Sequence, residues 1–149
     1  MANRFILNET SYHGAGAIKA VPEEIKARGF KKVFVASDPD LVKFGVTKKV
    51  TDLLDEACIE YVLYSNIKPN PTIENVQTGV AAFKEAGADC IVAIGGGSSM
   101  DAAKVMWLMY EHPEVNFDDI KQKFMDIRKR VCTFPHLGEK AMLVCVPTS

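Results

Sequence analysis

The chain has 149 residues, 48% apolar and 25% charged, which suits one globular domain with a sizeable core and excludes a disordered or fibrous chain. Its formal net charge of -1 supplies no global pull toward nucleic acid or an anionic membrane. No run of about 18 apolar residues is present, so no membrane span is expected, and the apolar run at the N-terminus is too short for a signal peptide.

In chain order, residues 4–8 read as a strand, followed by a turn at Tyr12-His13-Gly14-Ala15-Gly16. Residues 18–28 carry a helical pattern that Gly29 can cap. The apolar run 32–38 ends in polar residues, as a buried parallel strand does. Pro39 opens a short helix that Gly45 closes, and residues 46–57 form a helix with Val50, Leu53, Leu54 and Ala57 in one stripe. Residues 60–64 give the next strand. Asn70-Pro71 makes a loop and Thr72 an N-cap for a helix that places Ile73, Val76, Val80 and Phe83 on one face and stops near Gly87. Residues 89–94 are the strongest buried strand. A glycine loop follows, then a helix over 99–111 that Pro113 ends. Asn116 can cap a further helix with Phe117, Ile120, Phe124 and Ile127 at helical spacing, and its basic run Arg128-Lys129-Arg130 suits a helix C-terminus better than a nucleic-acid contact. Residues 141–146 read as one more buried strand.

Strands alternating with helices predict an α/β fold, a Rossmann-like parallel sheet with helices on both faces. One domain spanning 1–149 is expected. The chain stops just past a strand, at Thr148-Ser149, where ligand sites in such folds lie, so the expectation is the first part of a longer enzyme.

The chemistry centres on Gly95-Gly96-Gly97-Ser98. Glycines let backbone amides approach phosphate oxygens, and the helix that follows aims its unpaired N–H groups and positive dipole end at the anion. Ser98 and Ser99 can add hydroxyls. The competing reading is a plain turn. Asp101, in the first turn, either points to a sugar hydroxyl or compensates the dipole, with Lys104 as surface partner. Asp38 either accepts bonds from ribose hydroxyls, favouring NAD over NADP, or forms an Asx turn before Pro39. It precedes the glycine loop, unlike the acidic residue of the Rossmann fingerprint, and Gly14-x-Gly16 is a poor fingerprint of its own. Asn70 reads as a turn residue or a cofactor contact. His13, His112 and His136 show no metal spacing, and no nucleophilic triad stands out. Met106, Trp107 and Met109 read as core. Cys58, Cys90, Cys132 and Cys145 form no C-x-x-C pair and read as core or loop thiols of a reducing compartment, so the cytoplasm is expected.

Asn70-Pro71-Thr72 and Gly95-Gly96-Gly97-Ser98-x-x-Asp101 together resemble the iron-containing (group III) alcohol dehydrogenases, and the similarity runs along the whole chain. The opening 1–10 is similar to the lactaldehyde reductase (propanediol oxidoreductase) branch. The stretches 102–113 and 124–130 are similar to the alcohol dehydrogenase half of the bifunctional aldehyde-alcohol dehydrogenases. The resemblance implies a dehydroquinate synthase-like N-terminal domain that binds NAD. Within it, Asp38 would serve the adenosine ribose and Asn70 a cofactor-contacting loop. Gly96, Gly97, Ser98, Ser99 and Met100 would form the pyrophosphate loop, Asp101 would lie near the nicotinamide ribose, and Thr148 would start a threonine-rich cofactor loop. It also implies an Fe2+ or Zn2+ ion held by one Asp and three His of a helical C-terminal domain that this chain lacks, a small alcohol or aldehyde substrate, and a homodimer built partly through the N-terminal strand. On that reading these 149 residues alone bind cofactor without turnover. The alternative is a standalone, non-catalytic nucleotide-binding or interaction module.

Overall fold

The computed structural model describes residues 10–115 and 135–148. The strand expected at 4–8 and the helix expected from Asn116, with its basic run, lie outside the described residues.

Among the described residues, four parallel strands form one sheet in the order β2-β1-β3-β4, with β1 at Lys32–Ser37, β2 at Glu60–Tyr64, β3 at Cys90–Gly95 and β4 at Met142–Pro147. β1 and β3 are central. From Val33 to Ser37 and from Cys90 to Gly95 every residue is buried, which is why both sequences are near-continuous apolar runs. Alternate side chains serve opposite faces. Phe34, Ala36, Ile91 and Ala93 pack with Val76, Val80 and Phe83 of α4 (Ile73–Ala86) and with Ala102, Ala103 and Met106 of α5 (Gly97–Glu111). Val33, Val35, Cys90, Val92 and Ile94 pack with Val21 and Ile25 of α1 (Ala20–Ala27) and Val50 and Leu54 of α3 (Val46–Glu56). Each large side chain fully buried here contributes about 1.5–3 kcal/mol against the entropy of ordering the chain.

The helix ends follow local chemistry. Thr72 caps α4 and forms a capping box with Asn75, and Gly87 ends it in the left-handed conformation at φ 61°. Asp38 caps α2 (Pro39–Lys43), with Pro39 at its first position. The pattern over 18–28 resolves into a 3-10 turn, Ala17–Lys19, followed by α1. Two carboxylates brace the edge of the sheet opposite the glycine loop. Asp89 accepts from the backbone N–H groups of Lys31 and Lys32. Glu111, buried at the last residue of α5, accepts from the N–H groups of Gly138, Lys140 and Ala141 and from the Trp107 indole.

Two expectations are corrected. β4 is not a buried strand: its residues are half-buried, with Cys145 and Pro147 exposed. It pairs only with β3 among the described residues, so one of its edges lacks the cover that both neighbours give β1. Ile73 does not join the buried stripe of α4. As the first residue of that helix it has no preceding turn above it, and it is 42% exposed.

Candidate functional site

The chain leaves β1 toward β2 on one side and leaves β3 toward β4 on the other, so the connections after these two paired strands run in opposite directions. Such a switch point opens a crevice beyond the strand ends, where ligands bind in open parallel sheets. Asp38 follows β1, the glycine loop follows β3 and Thr148 follows β4, so these three candidates share the carboxyl edge.

The loop is shaped by its side chains and by their absence. Gly95 stands at φ 151°, and a Cβ there would lie 2.5 Å from Ser99 Oγ and 3.4 Å from Leu41 Cδ1. Gly96 is the N-cap of α5 and no side chain caps this end. The first intrahelical bond is Met100 N–H to Gly96 C=O at 3.1 Å, which leaves the N–H groups of Gly97, Ser98 and Ser99 without an intrahelical acceptor. Gly97 has open space where a Cβ would stand. Three amides at the positive end of a 15-residue helix, with no side chain capping them, form a cradle of the right chemistry for a phosphate. The helix begins at Gly97, two residues earlier than its sequence pattern indicates.

The predicted residues divide by geometry. Gly97 and Ser98 are exposed and Met100 half-buried, whereas the Ser99 side chain is buried at 3% exposure, so toward the crevice Ser99 can offer its amide. Asp38 Oδ1 accepts from Leu41 N–H at 2.9 Å, so the helix-opening reading is realised. Thr148 is tied to the loop by its backbone, donating to Gly95 C=O at 3.1 Å. Asp101 is exposed and lies 3.6 Å from Lys104, the expected surface pairing, worth little in stability. Asn70 has a left-handed backbone at φ 51°, as a turn-forming Asn does. It does not line the nearby shallow cavity of about 180 Å3, which Pro71, Thr72, Val76, Asp101, Val105 and Met109 line between the start of α4 and the length of α5 from Asp101 to Met109. That cavity is mainly apolar, with the Asp101 carboxylate at its margin.

Sequence reasoning missed Leu41, whose side chain borders Gly95 while its amide is held by Asp38. The signal available was only its position three residues after a capping Asp. No group of three or more His, Cys, Asp or Glu among the described residues lies close enough to hold a metal ion, so the residues described do not fit a metal centre. His112 is engaged otherwise, its ring nitrogens lying 2.7 Å from His136 C=O and 2.9 Å from Glu114 Oε1. Burial pushes the Cys90 thiol up to about 12, which makes it an inert core residue. No described helix is long and apolar enough to cross a membrane.

Residues 8–149 match the sequence profile of the iron-containing alcohol dehydrogenases. The chain belongs to this family. It is 48% identical over 120 residues to aldehyde-alcohol dehydrogenase 2 of Entamoeba histolytica, covering 79% of this chain and 14% of that protein. It is 38% identical over all 149 residues to lactaldehyde reductase of Escherichia coli, 37% of whose length is covered. Among solved structures, a 1,3-propanediol oxidoreductase superposes with a TM-score of 0.81 at 28% identity, over 100% of this chain and 36% of that one. An NADH-dependent butanol dehydrogenase A of Thermotoga maritima gives 0.74 at 29% identity, over 99% and 35%. This family member therefore spans between about a seventh and just over a third of the relatives' lengths.

Proposed function

We propose that this chain is the NAD(H)-binding part of a metal-dependent alcohol dehydrogenase that interconverts a small primary alcohol or diol and its aldehyde by hydride transfer. The observation that carries the reading is the uncapped start of α5, with the amides of Gly97, Ser98 and Ser99 open at the switch point between β1 and β3.

In this proposal the loop from Gly96 to Met100 holds the pyrophosphate, its amides neutralising charge that water would otherwise solvate. The carboxylate of Asp38 accepts from the adenosine ribose, and its negative charge repels a 2′-phosphate, selecting NAD. Asp101 turns from Lys104 to the nicotinamide ribose, where its charge lies clear of the phosphates. Asn70 and Thr148 close the cofactor site from the flanks. The apolar cavity beside Asp101 offers a nonpolar wall at that end of the site. An Fe2+ or Zn2+ ion supplies a Lewis acid for the alcohol oxygen in the family, and its ligands belong to a helical domain outside these residues. Bound NAD would supply the hydride acceptor, and the part of these residues would be to bind and orient it. Residues 1–149 form one domain of a cytoplasmic homodimer in this reading.

Calorimetric titration with NADH tests it. Saturable heat, abolished by excess pyrophosphate competitor, is expected. A folded sample that gives no heat at millimolar NADH overturns the assignment.

A further inference from the structure

Ser98 and Ser99 are chemically the same, yet the fold treats them oppositely. Ser98 is exposed, and the side chain of Ser99 turns inward to 3% exposure. The place it occupies is the one that any side chain at 95 would need, since a Cβ on Gly95 would lie 2.6 Å from Ser99 Cβ and 2.5 Å from its Oγ. On the other side stands Leu41 Cδ1, at 3.4 Å from the same point, on a residue whose amide is fixed by Asp38. The other restraint on the turn is backbone bonding, Thr148 N–H to Gly95 C=O and Met100 N–H to Gly96 C=O. Gly96 carries no side chain to cap α5, and nothing lies within 4 Å of where a Cβ of Gly97 would be. Packing of Ser99 against bare Gly95 therefore shapes the turn locally, where β3 passes into α5, while Ala102, Ala103 and Met106 seat the rest of the helix in the core.

Resting on the NAD(H) reading above, we infer that Ser99 is a positioning residue: its side chain, seated over Gly95, sets where the amides of Gly97, Ser98 and Ser99 itself meet a bound pyrophosphate, and its hydroxyl does not touch the cofactor. A directly liganding serine must keep its hydroxyl and tolerates an added methyl on the open side. A packing serine tolerates loss of the hydroxyl but not added volume. Replacing it by alanine and by threonine therefore separates the two roles by the order of their effects.

The experiment compares Ser99→Ala and Ser99→Thr with the wild type in the longest natural form of the protein. Ser99→Ala is expected to hold NADH within about twofold of wild type, and Ser99→Thr to bind it about fivefold or more weakly, because the extra methyl meets Gly95. In steady state the threonine variant raises KM for NADH with kcat within about threefold, since the loss lies in cofactor seating. The reverse order, alanine weak and threonine normal, overturns the proposal in favour of a hydroxyl contact. The amide chemical shifts of Gly95, Gly96 and Gly97 without ligand give a separate reading. They should move in Ser99→Thr and stay in Ser99→Ala, and glycine amides unmoved in both overturn the positioning role. If the wild type binds no NADH, the NAD(H) assignment fails while the shift comparison still decides the role of Ser99.

Discussion

The carboxylate of Glu111 accepts a hydrogen bond from the backbone N–H of Ala141 at 3.0 Å, joining the last residue of α5 to the residue that precedes β4. The same carboxylate also takes the amides of Gly138 and Lys140 and the Trp107 indole. Burial raises the affinity of this group for a proton, but the backbone donors outweigh it and hold the Glu111 carboxyl below its ordinary range. Glu111→Ala should destabilise the protein by about 3 kcal/mol, because several enclosed donors lose their acceptor together. Glu111→Gln, which keeps one carbonyl acceptor, should cost less. Urea unfolding measures both. A group with a lowered folded value stabilises above its unfolded value near 4.5, and that stability is lost as pH falls through the folded value. The acid limb of the stability curve should therefore flatten in Glu111→Gln.

His112, next in the chain, predicts the opposite sign. Its two ring nitrogens face two acceptors, His136 C=O and Glu114 Oε1, and only the imidazolium can donate to both. Those bonds, first to His136 and then to Glu114, raise its pKa above 6.5, with Glu111 adding to the effect. The stability it contributes is fully present below the unfolded value and is lost as pH rises through the folded one. His112→Asn should remove that pH dependence between about pH 6 and 8. A ring titration followed by NMR that falls below 6.5 would contradict the assignment.

Gly95→Ala is expected to cost about 2 kcal/mol or more, since φ 151° is unfavourable for an L side chain and the new Cβ would run into Ser99. Cofactor affinity should drop with it. Thermal unfolding and an NADH titration on the same sample check both effects, and a variant as stable as wild type would show that the turn yields easily.

Asp38→Gly isolates the charge at the end of β1. Glycine is an acceptable N-cap, so α2 should lose only a few tenths of a kcal/mol. The ratio of kcat/KM for NADP to that for NAD should rise about tenfold or more as the repulsion of the 2′-phosphate disappears. An unchanged ratio would remove Asp38 from the cofactor site and leave it a helix cap.

Much of the fold was legible because its signals are local. The runs at Val33 to Ala36 and Ile91 to Ile94 have no polar alternation, which already implies cover on both faces. Thr72, Gly87 and the Asp38-Pro39 pair mark helix ends through side-chain chemistry that acts within three residues. The apolar string of β4 misled because hydrophobicity does not tell how many sides of a strand are paired. Glu111 was hidden for a different reason. An acidic residue in the last turn opposes the helix dipole, which is a visible anomaly, but the amides that justify it lie 27 to 30 residues further on. The candidate site shows the same limit. Glycines before a helix announce a cradle, yet nothing in the text of two adjacent serines says which one turns inward, and nothing brings Leu41 to Gly95 except the sheet order.

Trp107 is the single tryptophan of the chain, and its indole N–H is shared between Glu111 and the Ala141 carbonyl, at 3.1 and 2.9 Å. These residues thus carry one indole fluorophore, beside four tyrosines, on the helix whose other end forms the glycine cradle. Its emission reports whether α5 and β4 are still joined, without any label. A ligand that stiffens α5 from the cradle end should change the quenching of that one ring, so the optical signal of occupancy is built into the fold some two to three helical turns away from the site itself.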